Sequence, residues 1–144
     1  MTEKNNARVV AVCISEEKGT RKHEVPIIEV KEDYGIVGDA HAGKWHRQVS
    51  LLNKDSVDKL QSKIDFKLKP GDFAENILVS GIVLYELPIG TRLKIGDIEG
   101  EVTQIGKECH QDCMIRKLTG DCVMPREGIF VRIIKGGHGR NAWR

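Results

Sequence analysis

Short apolar runs rich in Val and Ile, each closed by Gly, Pro, Asn or Asp, recur along the whole chain. A run this short with β-branched residues reads as a strand, and its flanking turn residues keep it from continuing as a helix. Arg8–Ile14 (RVVAVCI) reads as a buried strand, and Val25–Val30 as a second, with Pro26 near its start where a missing N–H is tolerated. Val49–Leu52, Asn76–Val79 and Ile82–Leu84 are further short strands, the last two on either side of Gly81. Thr91–Ile95 and Ile98–Ile105 predict a hairpin across Gly96-Asp97, and Gly128–Ile134 is the last clear strand. The best helix is Asn53–Ile64, where Val57, Leu60 and Ile64 fall at helical spacing and Asn53 or Asp55 would cap it. About seven short strands with one or two helices predict a barrel or sandwich, not alternating βα units.

Length and charge narrow the function classes. A chain of 144 residues fits one domain and can bury a core without disulfides or metal. Its 23 Lys+Arg against 21 Asp+Glu leave a net charge of +2, which gives no chain-wide case for nucleic-acid or membrane partners. No segment approaches the ~20 apolar residues of a membrane span. The polar stretch Met1–Arg8 lacks the apolar core of a signal peptide. The expected compartment is the cytoplasm, where the four cysteines are thiols, metal ligands or catalytic groups.

Three of those cysteines lie within Gly106–Met124, GKECHQDCMIRKLTGDCVM. A thiolate is both nucleophile and soft-metal ligand, and nearby cations raise its ionised fraction. Lys107, His110, Arg116 and Lys117 supply such charge around Cys109, Cys113 and Cys122. A helix opening at Cys113 would lower its pKa further. By contrast Cys13, inside an apolar strand, reads as a small core residue. The C-x3-C-x8-C spacing, with His110 or His138 as fourth ligand, lacks the paired C-x2-C knuckles of a zinc site. A redox disulfide between Cys109 and Cys113 is the other reading of that pair.

Two more segments carry polar groups in suggestive settings. Gly35–Gln48 (GIVGDAHAGKWHRQ) sets Asp39, His41, His46 and Arg47 among small residues that let backbone N–H groups approach a ligand. Arg47 suits bidentate capture of a phosphate or carboxylate. In Pro70–Ile77 (PGDFAENI), Glu75-Asn76 reads as buried hydrogen-bonding structure or as a turn fixing a strand entry. The basic, glycine-rich tail Gly136–Arg144, with His138, Arg140 and Trp143, reads as a lid, a partner contact or a frayed end.

Taken together, these segments resemble the MOSC domain, named for the C-terminal part of molybdenum-cofactor sulfurases. The likeness rests on Gly38–Gly43 with Arg47–Ser50, on Pro70–Ile77, and on Gly106–His110 with Cys113–Ile115 and Gly120–Phe130. It spans Val9 to Gly137. The resemblance implies a mainly β, pyruvate-kinase-like barrel with a few short helices. It implies a cysteine that carries sulfur or ligates molybdenum, and Cys113, before an apolar pair, is the best match. Cys109 and Cys122 are additional thiols of the same site. Asp39, His41, His46, Arg47, Asn76, Arg116 and Arg126 are the residues expected to hold the molybdenum cofactor (molybdopterin), with Arg140 a further candidate anchor for its phosphate. The implied function is a sulfur-carrier or cofactor-binding module, whose partner is a sulfur donor or a protein of cofactor biosynthesis. The alternatives are a molybdenum-dependent reductase of N-hydroxylated compounds and a zinc-stabilised adaptor. No pyridoxal-phosphate domain is expected within these 144 residues, so release of sulfur from cysteine by that route is not expected of them.

Overall fold

The computed structural model describes residues 8–17, 22–63, 65, 67–73, 75–106 and 127–140. Among these residues ten strands form a seven-stranded and a three-stranded sheet, accompanied by one α-helix. In chain order the strands are β1 (Arg8–Ile14), β2 (His23–Val25), β3 (Ile27–Lys31), β4 (Gly35–Ile36) and β5 (Val49–Asn53). After helix α1 (Lys54–Gln61) come β6 (Ile77–Ser80), β7 (Arg92–Ile95), β8 (Ile98–Ile105), β9 (Ile129–Lys135) and β10 (Gly137–Arg140). The larger sheet runs β2-β1-β6-β5-β9-β8-β7 and the smaller β10-β3-β4. Among the described residues only β5 and β6 pair in parallel, because α1 carries the chain back across one face between them.

The middle strands of the larger sheet are buried on both faces, which explains why β1 and β5 read as continuous apolar runs. On one face Val9, Val12, Val49, Leu51, Val131 and Ile133 share a core with Ile28, Val30 and Ile36 of the smaller sheet. On the other, α1 lays Val57 and Leu60 against Ala11, Cys13, Leu52, Leu78 and Phe130. Cys13 is fully buried there, and burial pushes its thiol well above the ordinary range, so it is an inert core residue. No helix among the described residues is long and apolar enough to cross a membrane.

The structure departs from the sequence reading at four places. The run Val25–Val30 is not one strand: the chain breaks at Pro26, and β2 and β3 join different sheets. Ile82–Leu84 is not a strand; Leu84–Glu86 is a 3-10 turn. Asn53 is the N-cap of α1 by position, yet its side chain makes no capping bond. Its carboxamide instead accepts from Leu84 N–H at 3.0 Å and donates to the Ile82 carbonyl, and so stabilises that turn. The tail is not frayed as far as Arg140, because β10 pairs with β3. Among the described residues the ladder runs from β2 to β7 without closing, so the mainly β class holds and a closed barrel is not seen.

Candidate functional site

The chain leaves β4 through tight turns and buries Asp39 beneath the end of β1. Both oxygens of that carboxylate are committed. Oδ1 accepts from Ser15 N–H at 3.0 Å and from Lys22 Nζ at 2.8 Å, while Oδ2 accepts from His41 N–H at 3.1 Å. The side chains of Lys22 and Asp39 are 1% and 0% exposed, so this ion pair is fully out of water. A buried pair of this kind is tolerated only where its remaining protons also find acceptors. Lys22 meets that condition, reaching Ser15 Oγ at 3.1 Å and His41 Nδ1 at 3.0 Å.

The second motif holds the backbone of the same lysine. Lys22 N–H donates to the Gly71 carbonyl at 2.9 Å. Gly71 sits at φ +92°, and a Cβ there would lie 2.1 Å from the Lys22 carbonyl oxygen, so no side chain fits. Glu75 fastens the turn from inside, accepting from Gly71 N–H at 2.8 Å and Phe73 N–H at 3.2 Å. No cation is seen on the Glu75 carboxyl among the described residues; burial pushes it up to about 7, against the pull of the backbone N–H groups of Gly71, Glu75 itself and Phe73. Asn76, 1% exposed, ties three strands together. Its Oδ1 accepts from Ser50 N–H at 3.0 Å and its Nδ2 donates to the Cys13 carbonyl at 3.1 Å.

The outer part of the glycine loop is more open. The His41 side chain is 23% exposed, and its ring lies parallel to Trp45 at 6.4 Å between centroids. Trp45 Nε1 donates to the His41 carbonyl at 2.8 Å and its ring meets His46 edge-on. Thr103 donates to the His46 carbonyl, which ties the loop to β8. Arg47 lies over the Phe130 ring, 5.4 Å from its centroid, and donates from Nε to Gln104 Oε1 at 3.1 Å. Gln104 in turn donates to the Gly106 carbonyl at 2.7 Å, and Gly106 N–H donates to the Gly128 carbonyl at 2.6 Å. Glu127 accepts from Lys59 Nζ at 2.9 and 3.1 Å and from the Ser56 hydroxyl on α1.

The residues bounding segment 107–126 are therefore clamped together beside Arg47. Cys109, Cys113, Cys122, Arg116 and Arg126, with Lys107, His110 and Lys117, lie outside the described residues. Of the other expected site residues, the fold brings Asp39, His41, His46 and Arg47 into one loop, with Asp39 as its internal brace. Asn76 sits inside the sheet among β1, β5 and β6. His138 is exposed on β10 beside Glu29. Among the described residues no cluster of three or more His, Cys, Asp or Glu is placed to hold a metal. Sequence reading missed Lys22, which stands in a charged stretch with nothing in its neighbours to mark it.

No curated protein matches the chain. Among solved structures, the YuaD protein from Bacillus subtilis superposes with a TM-score of 0.80 at 16% identity, covering 99% of this chain and 96% of that one. YiiM from Geobacillus stearothermophilus superposes at 0.71 with 14% identity, covering 95% and 72% of the two chains. YiiM from Escherichia coli does so at 0.64 with 15% identity, covering 94% and 67%. At such identities the likeness establishes the fold. The family model of the MOSC domain matches residues 38–138, from the glycine loop to β10, and the chain belongs to the MOSC domain family.

Proposed function

We propose that this protein is a sulfur carrier associated with the molybdenum cofactor, with Cys113 as its reactive thiol and Cys109 and Cys122 as neighbouring thiols. The observation that carries the reading is the clamp at the base of the cysteine segment. Gly106 and Gly128 are joined at 2.6 Å, and Arg47 reaches that base through Gln104. Positive charge favours the thiolate, which would take the outer sulfur of a donor persulfide and displace the donor's own thiolate. Arg47 stands at the base of the segment, and Lys107, His110, Arg116 and Lys117 lie within its sequence.

The described residues fit an anionic, phosphate-bearing group such as molybdopterin. Phe130 and Gln104 fix the plane of Arg47, and its two Nη atoms have no partner among the described residues. That is the fork that binds phosphate in bidentate fashion. Gly38 and Gly43 open the loop surface, with nothing within 4 Å of where a Cβ would stand. When bound, the cofactor would supply a metal with soft-ligand chemistry. Arg47 and His41 would hold and orient its polar edge, while Asp39 and Asn76 brace the wall behind. Arg116 and Arg126 are assigned to the same phosphate as an expectation of the family. We further infer that the two sheets, which share one core, together form the wall of the family's barrel.

The test compares wild type with Cys113→Ser, purified from a molybdate-fed host able to make molybdopterin. Metal content is read by plasma mass spectrometry and sulfane sulfur by persulfide labelling. A persulfide on wild type that is lost in the variant is the expected result. Near-stoichiometric molybdenum lost in the variant, without persulfide, would replace the carrier by a cofactor-binding oxidoreductase. Stoichiometric zinc, with unfolding by a chelator, would replace both by the adaptor.

A further inference from the structure

The three protons of Lys22 meet three different acceptors: Asp39 Oδ1 at 2.8 Å, His41 Nδ1 at 3.0 Å and Ser15 Oγ at 3.1 Å. An ammonium has no acceptor, so each of these contacts is donated by the lysine. The ring nitrogen it touches must then carry a lone pair and no proton. The 3.8 Å separation of His41 Nδ1 from Asp39 Oδ2 is accordingly not an ion pair, because the Lys22 ammonium already occupies that nitrogen.

We propose that Lys22 is a positioning residue that holds His41 as a neutral imidazole with its proton on Nε2. The ring is fixed at two points. Asp39 Oδ2 takes the His41 backbone N–H, and Lys22 Nζ takes Nδ1, so one buried ion pair sets both the main chain and the tautomer. Trp45, parallel to the ring at 6.4 Å and bonded to the His41 carbonyl, limits its rotation on the outer side. His41 is then a hydrogen-bond donor from Nε2 and suits an anionic oxygen or a sulfur of a ligand at the loop. This use of the donor rests on the proposed function; the tautomer does not.

The experiment is long-range proton–nitrogen NMR on full-length protein carrying 15N-labelled histidine, with the His41 signals assigned by their loss in His41→Gln. The expected wild-type pattern is an unprotonated Nδ1 and a protonated Nε2. In the double variant Lys22→Met, Asp39→Asn, which leaves no unpaired buried charge, Nδ1 loses its donor and the pattern moves to mixed tautomers. A protonated Nδ1 in wild type, or an unchanged pattern in the folded double variant, would overturn the proposal. The wild-type spectrum decides even where the double variant does not fold. Persulfide loading of Cys113, read on the same samples, separates the two ideas: a correct tautomer with no persulfide removes the carrier reading alone.

Discussion

Two carboxylates lie buried among the described residues, one in each of the motifs that precede the cysteine segment, and they are held in opposite ways. Asp39, below the glycine loop, faces the Lys22 ammonium at 2.8 Å. Glu75, below the Pro70-Gly71 turn, accepts from backbone N–H groups, those of Gly71 and Phe73 among them, and has no cation among the described residues. Both satisfy their oxygens, and every buried side-chain nitrogen or oxygen among the described residues has a partner. The difference is in charge. The first is a closed ion pair whose geometry also orients His41. The second is an acid pushed up to about 7 by burial, so its proton comes and goes near neutrality. Lys22 links the two, since Gly71 holds its backbone while Asp39 and His41 take its side chain.

The sharpest way to break this contrast is Lys22→Met. It strands the Asp39 charge, and breaking a buried pair costs about 3–5 kcal/mol, a large part of the ~5–15 kcal/mol that holds a domain of this kind. Urea unfolding at pH 7 reads the loss as a fall in the midpoint. Glu75→Gln sharpens the other half. The folded pKa of Glu75 is raised from 4.5 to about 7, so its contribution is full below 4.5 and is lost as pH rises through 7. Wild-type stability should fall on the order of 2–3 kcal/mol between pH 4 and pH 8 from this group. Urea midpoints across that range should lose this slope in the variant. The smallest effect is expected at Gly38, which sits at φ +88° with open space around it. Gly38→Ala should cost about 1 kcal/mol, from backbone strain alone. A thermal melt showing a much larger loss would mean that the loop is as tightly filled as Gly71.

Where a segment's own residues satisfy its backbone, its structure was legible. The alternation and turn residues of β7 and β8 specify a hairpin locally, and the helical spacing of Val57 and Leu60 marks α1. The misread places are those where a distant partner intervenes. Asn53 reads as a helix cap, but its carboxamide is taken by the backbone of Ile82 and Leu84, which turns an apolar triplet into a 3-10 turn. Pro26 looks like a tolerated strand start, but whether the chain continues in one sheet depends on which neighbours lie ready on either side. The candidate site divides along the same line. The glycine loop and the cysteine cluster stand out because their composition is locally unusual. Lys22 does not, as one of 23 Lys and Arg residues.

By itself, the amino-acid sequence determined the mainly β class, most of the strands and the three motifs that carry the family, because hydrophobic period, turn chemistry and residue type act over a few neighbours. Only the tertiary structure decided which charges are buried together, that Asn76 is a strand tie, and that Lys22 meets Asp39 and His41. Those pairings join residues far apart in the chain, and burial sets their strength, which no local pattern encodes.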